Sequence, residues 1–374
     1  MIKILPDICD IQYGYAFDSA KFSSDQGVPL IRIRDVVRGF SETYTTEECS
    51  GEYIVNNGDI LIGMDGEFNI ARWNGGKAYL NQRVCRLIPK DEIDPLYLFY
   101  FMPKALKAIE DKTPFVTVKH LSAKELNKIV VPIPTLQEQI EISNSLQKLD
   151  ELISLRKQQL AKLDELVKSR FVEMFGTIHD NTFGYEIKTL QDVCEQIKDG
   201  THQTPTYTDD SVNGYKFLSS KDVTTGKIDW THLKYIPEEL HNELYARIAP
   251  KKGDILLAKN GTTGIAAIVD RDEIFDIYVS LALLRPIEIN SVYLCSAINS
   301  IETKQQFDSS LKGIGVPNLH LGEIKKARII VPPVKQQNEF ATFVEQTDKA
   351  KFEIQKSLEK LETLKKALMQ KYFG

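Results

Sequence analysis

The sequence predicts an α+β fold that is internally duplicated, with two globular α/β domains joined by two long helices that pack as an antiparallel coiled coil. Three observations lead to this prediction. Similar segments recur in the same order in the two halves of the chain. Short β-branched runs separated by turn residues fill most of each half. Each half then ends in a long helical pattern that contains neither proline nor glycine.

Length and composition set the class of the protein. The chain has 374 residues, more than a typical single domain, and 42% hydrophobic and 26% charged residues. We expect no signal peptide, and the most apolar run, residues 96–102, is too short to span a membrane. The five cysteines (Cys9, Cys49, Cys85, Cys194 and Cys295) are scattered without a CxxC motif. This pattern favours the reducing cytoplasm and argues against a disulfide framework or a structural zinc site.

The net charge is −5. Proteins that bind DNA alone usually carry a basic surplus that contacts phosphates. If this chain binds nucleic acid, its basic groups must therefore be local, or a partner must supply much of the contact with the DNA backbone.

The repeat extends over the whole chain. The matching segments are "HLSAKELNKIVVP" (120–132) with "HLGEIKKARIIVP" (320–332), "NNGDILIGMDG" (56–66) with "KKGDILLAKNG" (251–261), "LIRIRDV" (30–36) with "FLSSKDV" (217–223), and "DICD" with "DVCE". A repeat of this length is the size of a domain, whereas solenoid repeats are only ~20–50 residues long. We interpret it as a gene duplication. The matches also predict that His120 and His320 are equivalent structural residues, and that Cys9 and Cys194 are equivalent buried thiols.

The long helices are predicted at residues 136–175 and 334–373, each about 60 Å long. Their apolar residues follow a heptad pattern, with Leu152, Leu155 and Leu166 widening the stripe on the first helix. The predicted contact positions are Leu146, Leu149, Ile153, Leu160, Leu163, Val167, Ile354, Leu358, Leu361 and Leu368. A two-fold relation between the halves makes the two helices antiparallel. The alternative is that each helix lies only on its own domain.

These patterns give four segments. We expect a first globular domain at residues 1–132, a first helix at 133–176, a second globular domain at 177–332 and a second helix at 333–374. Two similar modules held at a fixed separation suit a target with two separated sites, and duplex DNA, whose major groove recurs every ~34 Å, is such a target.

The chain also resembles a known family. The segment "VPIPTLQEQIEISNSLQKLDELISLRKQQLAKLDELVKSRF" (131–171) is similar to the first conserved region of the specificity (S) subunits of type I restriction-modification systems. The segment at 331–374 resembles the second conserved region, although Gln336-Gln337 replaces the usual Glu-Gln. "IKDGTHQTP" (197–205) is similar to the start of many target-recognition domains, and "IQYGYAF" (11–17) resembles its counterpart in the first half.

The resemblance implies a DNA-recognition subunit without catalytic activity. Each target-recognition domain would contact one half of a split sequence in double-stranded DNA, and the helices would set the gap. Two methyltransferase (M) subunits would dock on the helices, with S-adenosylmethionine bound by them and no cofactor bound by this chain. The resemblance leaves open whether restriction/translocase (R) subunits join, and it implies no membrane partner.

No catalytic motif competes with this interpretation. The sequence has no Asn-Pro-Pro-Tyr-like tetrapeptide, no P-loop and no HExxH. The repeated Asp59 and Asp254 of "GDIL" are expected to cap a turn before a strand. Two other function classes remain as alternatives: a coiled-coil adaptor that never contacts DNA, and a stand-alone restriction-modification enzyme with fused recognition domains.

DNA contacts are expected where the duplicated scaffold carries polar loops that differ between the halves. Bases are recognised by Arg, Lys, Asn, Gln, Ser and Thr, and phosphates by basic groups, hydroxyls and backbone N–H groups. The glycines of "KNGTTG" would also allow a phosphate to approach the backbone. The candidates in the first half are Tyr13, Arg32, Arg34, Arg38, Asp65, Glu67, Asn69, Arg72 and Trp73. Those in the second half are Lys198, Thr201, His202, Gln203, Thr204, Ser219, Ser220, Lys221, Lys259, Asn260, Thr262 and Thr263.

Overall fold

The structure is a computed structural model, and it describes residues 1–112, 119–224, 226–311 and 317–374. The chain divides into two compact units. Unit 1 comprises Met1–Lys157 and Lys356–Gly374, and unit 2 comprises Gln158–Gln355. These limits differ from the four predicted segments because each long helix contributes residues to both units.

Unit 1 contains eleven described strands and four short or medium helices, followed by the start of the first long helix. The strands are β1 (Ile2–Ile4), β2 (Cys9–Tyr13), β3 (Phe22–Ser23), β4 (Val28–Ile31), β5 (Tyr44–Thr45), β6 (Ile54–Val55), β7 (Ile60–Gly63), β8 (Ile70–Arg72), β9 (Ala78–Leu80), β10 (Val84–Pro89) and β11 (Val130–Pro132). The α-helices are α1 (Leu5–Ile8), α2 (Ile33–Arg38), α3 (Pro95–Lys112), α4 (Ala123–Leu126) and α5 (Leu136–Phe175); 3₁₀ turns lie at Ser19–Lys21 and Gly51–Tyr53.

Unit 2 repeats this plan with its own elements. The strands are β12 (Glu186–Thr189), β13 (Cys194–Asp199), β14 (Tyr215–Leu218), β15 (Lys234–Ile236), β16 (Ile255–Ala258), β17 (Ala266–Ile268), β18 (Phe275–Ile277), β19 (Leu281–Pro286) and β20 (Arg328–Val331). The helices are α6 (Glu238–Arg247), α7 (Ser291–Ile298), α8 (Ile301–Ser310), α9 (Leu321–Lys326) and α10 (Val334–Phe373), with a 3₁₀ turn at Ser220–Val223.

The central sheets of the two units have the same strand order. In unit 1 it is β2-β10-β7-β8, and in unit 2 it is β13-β19-β16-β17, with antiparallel neighbours throughout. Each unit also pairs its first strand with its last, β1 with β11 and β12 with β20. A second sheet lies beside each central sheet and contains one parallel pair, β4 with β9 or β14 with β18. The duplication predicted from sequence is therefore present in the topology.

The repeated "GDIL" strands are apolar because both faces of the central sheet are buried. Alternate side chains of a strand point to opposite faces. Ile255 and Leu257 of β16 accordingly pack in one core with α7, whereas Leu256 and Ala258 pack in a second core with β14 and β18. In β7, Ile60 and Leu61 divide between two cores in the same way. The central sheet is thus the middle layer of each unit.

The structure corrects one part of the sequence alignment. Leu121 and Leu319 are both fully buried, and each donates its N–H to the residue that ends the central strand pair, Met64 or Lys259. Leu121 therefore corresponds to Leu319, and His120 to Asn318. The prediction that His120 and His320 are equivalent is wrong, because the identical "HL" pairs lie out of structural register.

The two long helices have the predicted limits, and parts of both pack together in each unit. In unit 1, Lys365 Nζ lies 2.5 Å from Asp150 Oδ1, and Lys157 Nζ lies 3.0 Å from Glu362 Oε1. In unit 2, Lys351 Nζ lies 2.5 Å from Asp164 Oδ1. In unit 1, the later residue of α5 pairs with the earlier residue of α10, so the segments are antiparallel. The predicted fold class is confirmed.

The predicted helix contact positions differ in burial. Leu146, Leu149, Ile153 and Leu358 are buried, and Leu160, Leu163, Val167, Ile354, Leu361 and Leu368 are half-buried. The predicted widening of the stripe is wrong. The side chains concerned lie in solvent, with exposed fractions of 44% for Leu152, 54% for Leu155 and 47% for Leu166.

Each long helix ends in an aromatic side chain that completes a core. Phe373 of α10 packs against Tyr97 and Phe101 of α3 in unit 1, with ring centroids 5.3 and 6.0 Å apart. Phe175 of α5 packs against Tyr293 of α7 in unit 2 at 4.8 Å. The repeated aromatic–glycine ending is therefore an anchor: α5 begins in unit 1 and ends in the core of unit 2, and α10 does the reverse.

None of the helices in the described part of the chain is both long and apolar enough to cross a membrane.

Candidate nucleic-acid interface

In unit 1, polar loops gather at one end of the central sheet. Strands β2 and β7 end there, and their neighbours β10 and β8 begin there, because adjacent strands are antiparallel. The parallel strands β4 and β9 of the second sheet end on the same side, where Tyr15 forms a bridge with Asn81. Loops from five separate parts of the chain therefore meet; we call this region loop end 1 and define it by Tyr15, Arg32–Arg34, Asp65–Asn69, Asn81–Arg83 and His120.

Helix α2 starts at loop end 1. A Cβ atom placed on Gly63 would lie 3.1 Å from Ile33 Cγ2, so the first turn of α2 packs directly on the end of β7. Asp35 fixes this turn by accepting the N–H of Arg32 at 2.9 Å. Arg32 and Arg34 are exposed there, next to the β7–β8 turn, where Glu67 is exposed.

Asp65, Arg83 and His120 form a cluster within loop end 1. Asp65 Oδ2 lies 3.3 Å from an Nη atom of Arg83, and Asp65 Oδ1 lies 2.5 Å from His120 Nδ1. The side chain of Asp65 is only 19% exposed, whereas those of Arg83 and His120 are 55% and 51% exposed. The carboxylate is thus the inner member and presents two basic groups to solvent.

In unit 2, the equivalent region is loop end 2, defined by Asp199–Thr204, Ser219–Lys221, Lys259–Thr263, Ser280 and Asn318. Ser220 donates its N–H to Ser280 Oγ at 3.0 Å, which joins the 3₁₀ turn after β14 to the start of β19. Asn260 forms a bridge with Asn318. The structure therefore brings together the second-half candidates that the sequence placed on three separate loops.

Basic residues hold the "DGT" turn of loop end 2 in place. Lys259 Nζ lies 3.3 Å from Asp199 Oδ2, and His202 Nε2 lies 3.0 Å from the same oxygen. Arg247, the last residue of α6, donates to the carbonyl oxygens of Asp199 and Gly200 at 2.5 and 2.9 Å. These contacts fix the segment from which His202, Gln203 and Thr204 project into solvent.

The two loop ends share one backbone frame. Four backbone hydrogen bonds of unit 1 have a counterpart in unit 2. With the N–H donor named first, the matched bonds are Met64–Arg83 with Lys259–Ser280; Gly66–Lys119 with Gly261–Pro317; Tyr15–Leu80 with Thr201–Ile277; and Gln82–Tyr15 with Val279–Thr201. Gly14 and Gly200 are needed for this frame, because a Cβ at either position would lie about 2 Å from a backbone carbonyl oxygen. The side chains that the frame carries differ between the units.

The aspartates of "GDIL" hold the other end of each central sheet. Asp59 accepts the N–H of Asn56 at 2.9 Å, and Asp254 accepts that of Lys251 at 2.8 Å, as the turn-cap interpretation predicted. Each also forms an ion pair that the sequence did not reveal, with Arg86 at 2.9 Å and Arg285 at 2.7 Å respectively. They are structural residues.

Several predicted contact residues lie elsewhere or are enclosed. Trp73 is 1% exposed and donates its indole N–H to the Gly76 carbonyl, so it belongs to the core. Thr201 and Lys259 are 5% exposed. The hydroxyl oxygen of Tyr13 is buried, and this burial raises the pKa of Tyr13 to about 12. We remove these four residues from the candidate surface.

Three basic candidates are exposed but peripheral. Arg72 lies at the opposite end of β8, paired with Ile60. Arg38, at the end of α2, forms an ion pair with Glu42 at 2.7 Å. Lys198 Nζ donates to the Arg247 carbonyl at 3.4 Å.

Sequence reasoning missed several residues of the loop ends, among them Arg83, His120, Ser280 and Asn318. Arg83 and Ser280 directly precede β10 and β19, and no repeated motif marks them. His120 was assigned a structural role through its false match with His320. A pattern of polar residues immediately before matched strands could have identified Arg83, which is exposed, and Ser280, which is buried.

The predicted buried thiols are buried. Cys9 and Cys194 are 1% and 8% exposed, and burial raises the pKa of each thiol to about 12. Such thiols stay protonated at neutral pH and are poor nucleophiles.

Comparisons with known proteins agree with this architecture. The model of the type I restriction modification DNA specificity domain matches residues 1–165 and 183–366. The EcoBI specificity subunit of Escherichia coli is 29% identical over 99% of this chain and 84% of its own length. The MjaVIII specificity subunit of Methanocaldococcus jannaschii is 27% identical over 85% of this chain and 79% of its own.

Solved structures show the same fold. The S subunit of a type I restriction-modification system from M. genitalium has a TM-score of 0.62 at 15% identity, covering 100% of this chain and 96% of its own. A chain from a structural study of assembly and conformational transition of the type I R-M system has a TM-score of 0.59 at 17% identity, covering 100% and 97%.

The family model matches both halves of the chain, as expected of a duplicated DNA-specificity scaffold. The chain therefore belongs to the type I restriction modification DNA specificity family. It is a specificity subunit, the component concerned with DNA sequence recognition, and not a catalytic one. The family resemblance inferred from the conserved helix segments is confirmed, and the adaptor alternative is not favoured.

Proposed function

We propose that this chain recognises a split sequence in double-stranded DNA, with loop end 1 contacting one half-site and loop end 2 the other. The observation that carries the proposal is the shared backbone frame with different side chains. A common frame gives both units the same approach to DNA, and different polar groups give each unit its own sequence preference. The segments 1–132 and 177–332 are then the two target-recognition domains.

The full chain assembled with its methyltransferase partner provides the test. Selection from a random duplex library should yield two short defined sequences separated by an unspecified gap. Arg32→Ala with Arg34→Ala should weaken binding by about tenfold or more, since two basic groups at loop end 1 are lost. Lys3→Ala with Lys90→Ala removes the same charge beside the opposite end of β10, where Lys3 pairs with Glu92 and Lys90 with Asp10, and should change binding little. Equal effects of both pairs would show that loop end 1 is not the contact surface, and the absence of any selected sequence would support the adaptor alternative.

The partners follow from the same proposal. Two methyltransferase (M) subunits dock on the long helices, and they bind the S-adenosylmethionine; R subunits can join where the system has them, and the assembly acts in the cytoplasm. Exposed apolar side chains support a docking role for the helices. Leu155 of α5 is 54% exposed in unit 1, and Phe352 of α10 is 67% exposed in unit 2, so each helix has a large apolar group that a docked subunit would remove from water.

We also propose that the helical segments 133–176 and 333–374 set the gap between the half-sites. Both helices run without proline or glycine for 40 residues. Insertion of one heptad after Leu160, with a matching heptad in α10, should lengthen the unspecified gap and leave both half-sites unchanged. An unchanged gap would show that another element sets it.

A further inference from the structure

We propose that Arg83 is a specificity-determining residue that recognises a guanine in the half-site contacted by unit 1, and that Asp65 and His120 position it. This inference rests on the proposed function above. It concerns the side chains at three matched positions of the shared backbone frame. The matched pairs are Asp65 with Asn260, Arg83 with Ser280, and His120 with Asn318.

The backbone fixes the match between these positions. Met64 donates its N–H to the Arg83 carbonyl as Lys259 does to that of Ser280. Asp65 forms a bridge with His120 as Asn260 does with Asn318. The frame therefore holds the same three positions in both units, while an Asp–Arg–His set in unit 1 is replaced by Asn–Ser–Asn in unit 2.

Folding stability does not explain the charged set. Arg83 and His120 are about half exposed, and ion pairs at such positions contribute roughly 0–1 kcal/mol. Unit 2 keeps the same backbone bridge with neutral residues. The charges are thus dispensable for the frame, and a role at the surface accounts for them better.

The geometry favours a base over a phosphate as the partner of Arg83. Asp65 neutralises the guanidinium at 3.3 Å and is itself held by His120 at 2.5 Å. A neutralised guanidinium attracts a phosphate weakly, because the carboxylate repels the same anion. It still presents planar N–H groups, which suit the O6 and N7 acceptors of guanine in the major groove. Side-chain anchoring also reduces the conformational entropy that binding would otherwise remove.

The experiment uses the full chain with its methyltransferase partner and a duplex library randomised over both half-sites. The wild type should select a guanine, on either strand, at a defined position of one half-site. Arg83→Ala should reduce the preference for that base by about 5- to 100-fold and leave the other half-site unchanged. Lys90→Ala, which removes one positive charge at the opposite end of β10, should leave every preference unchanged.

Two further variants test the positioning roles and the matched frame. Asp65→Asn retains a hydrogen-bonding group but removes the neutralising charge, and it should weaken the guanine preference while making binding to all sequences more salt-dependent. The triple change Arg83→Ser, Asp65→Asn and His120→Asn, which gives unit 1 the neutral set of unit 2, should remove the guanine preference and leave the other half-site unchanged. Thermal melting of each variant confirms that it is folded.

The outcomes separate the inference from the function on which it rests. If Arg83→Ala weakens binding to all sequences equally, or has no effect while the wild type still selects a split sequence, Arg83 does not recognise a base and the inference fails alone. If the wild type selects no sequence, the proposed function fails and the inference with it.

Discussion

The aromatic anchor at the end of α10 makes a strong prediction about stability. Phe373 is 6% exposed and packs against Tyr97 and Phe101 in the core of unit 1. Truncating a buried Phe to Ala costs about 3–5 kcal/mol. Because Phe373 lies at the end of its helix, where the chain can partly relax, we expect Phe373→Ala to cost about 3 kcal/mol. This corresponds to a roughly 150-fold increase in the opening equilibrium of unit 1.

Hydrogen exchange measured by mass spectrometry on the full chain resolves this effect by region. Peptides from α3 and the β1–β11 pair should exchange up to about a hundred times faster in Phe373→Ala, and peptides from the core of unit 2 should be unchanged. Phe175→Ala should give the mirror result in unit 2. Phe352→Ala is the matched control, because this phenylalanine is on the same helix but 67% exposed, so its loss should change stability by less than about 0.5 kcal/mol. A cost below about 1 kcal/mol for Phe373→Ala, or equal loosening of both units, would refute the anchoring role.

Three other perturbations have defined outcomes. Arg285→Ala leaves the carboxylate of Asp254, which is 3% exposed, without its ion-pair partner. The free energy of unfolding measured in urea should fall by about 3–5 kcal/mol. Arg86→Ala should reduce it less, since its partner Asp59 is 29% exposed. Burial raises the pKa of Asp276 from 3.8 to about 6, so the folded state binds more protons in that range and stability should fall as pH rises from about 4 to about 6; Asp276→Asn should remove this fall. Gly200→Ala places a Cβ 2.0 Å from a backbone carbonyl oxygen, and thermal melting should show a loss of at least about 1–3 kcal/mol.

Each of these has a contrary result. Equal costs for Arg285→Ala and Arg86→Ala would mean that burial of the carboxylate does not set the cost. A pH profile that Asp276→Asn leaves unchanged would assign the fall to other groups. A Gly200→Ala variant as stable as the wild type would show that the strands separate at little cost.

Periodic and punctuated features were predictable from the sequence. The limits of α5 and α10 follow from prolines before them and glycines after them, and a heptad pattern identified the side chains that face inward. The repeated "GDIL" strands and their aspartates were also assigned correctly, because a turn cap depends on contacts only three residues apart. Local chemistry determines such elements, and local chemistry is visible in one sequence.

Features that depend on contacts between distant segments were not predictable. Trp73 has both a polar N–H group and a large apolar ring system, so its residue type fits either a DNA contact or a core position. Only the packing of the two sheets shows that it is buried. Lys259 can be buried because its ammonium group forms an ion pair with Asp199, which is far away in the chain. His120 was matched with His320 because the sequence alignment followed the identical "HL" pairs. The structure instead matches Leu121 with Leu319, since both are buried and each donates one equivalent backbone hydrogen bond.

The exchange of helix ends between the two cores has a consequence for the order of events during synthesis. Most of unit 1 leaves the ribosome early, but the aromatic group that fills its core lies at Phe373, roughly two hundred residues later. At a synthesis rate of ~5–20 residues per second, the core of unit 1 lacks this aromatic side chain for on the order of ten to forty seconds. Unit 2 acquires Phe175 before the rest of its own core is made. Until α10 is made, the first half of the nascent chain therefore exposes apolar core surface to chaperones and proteases.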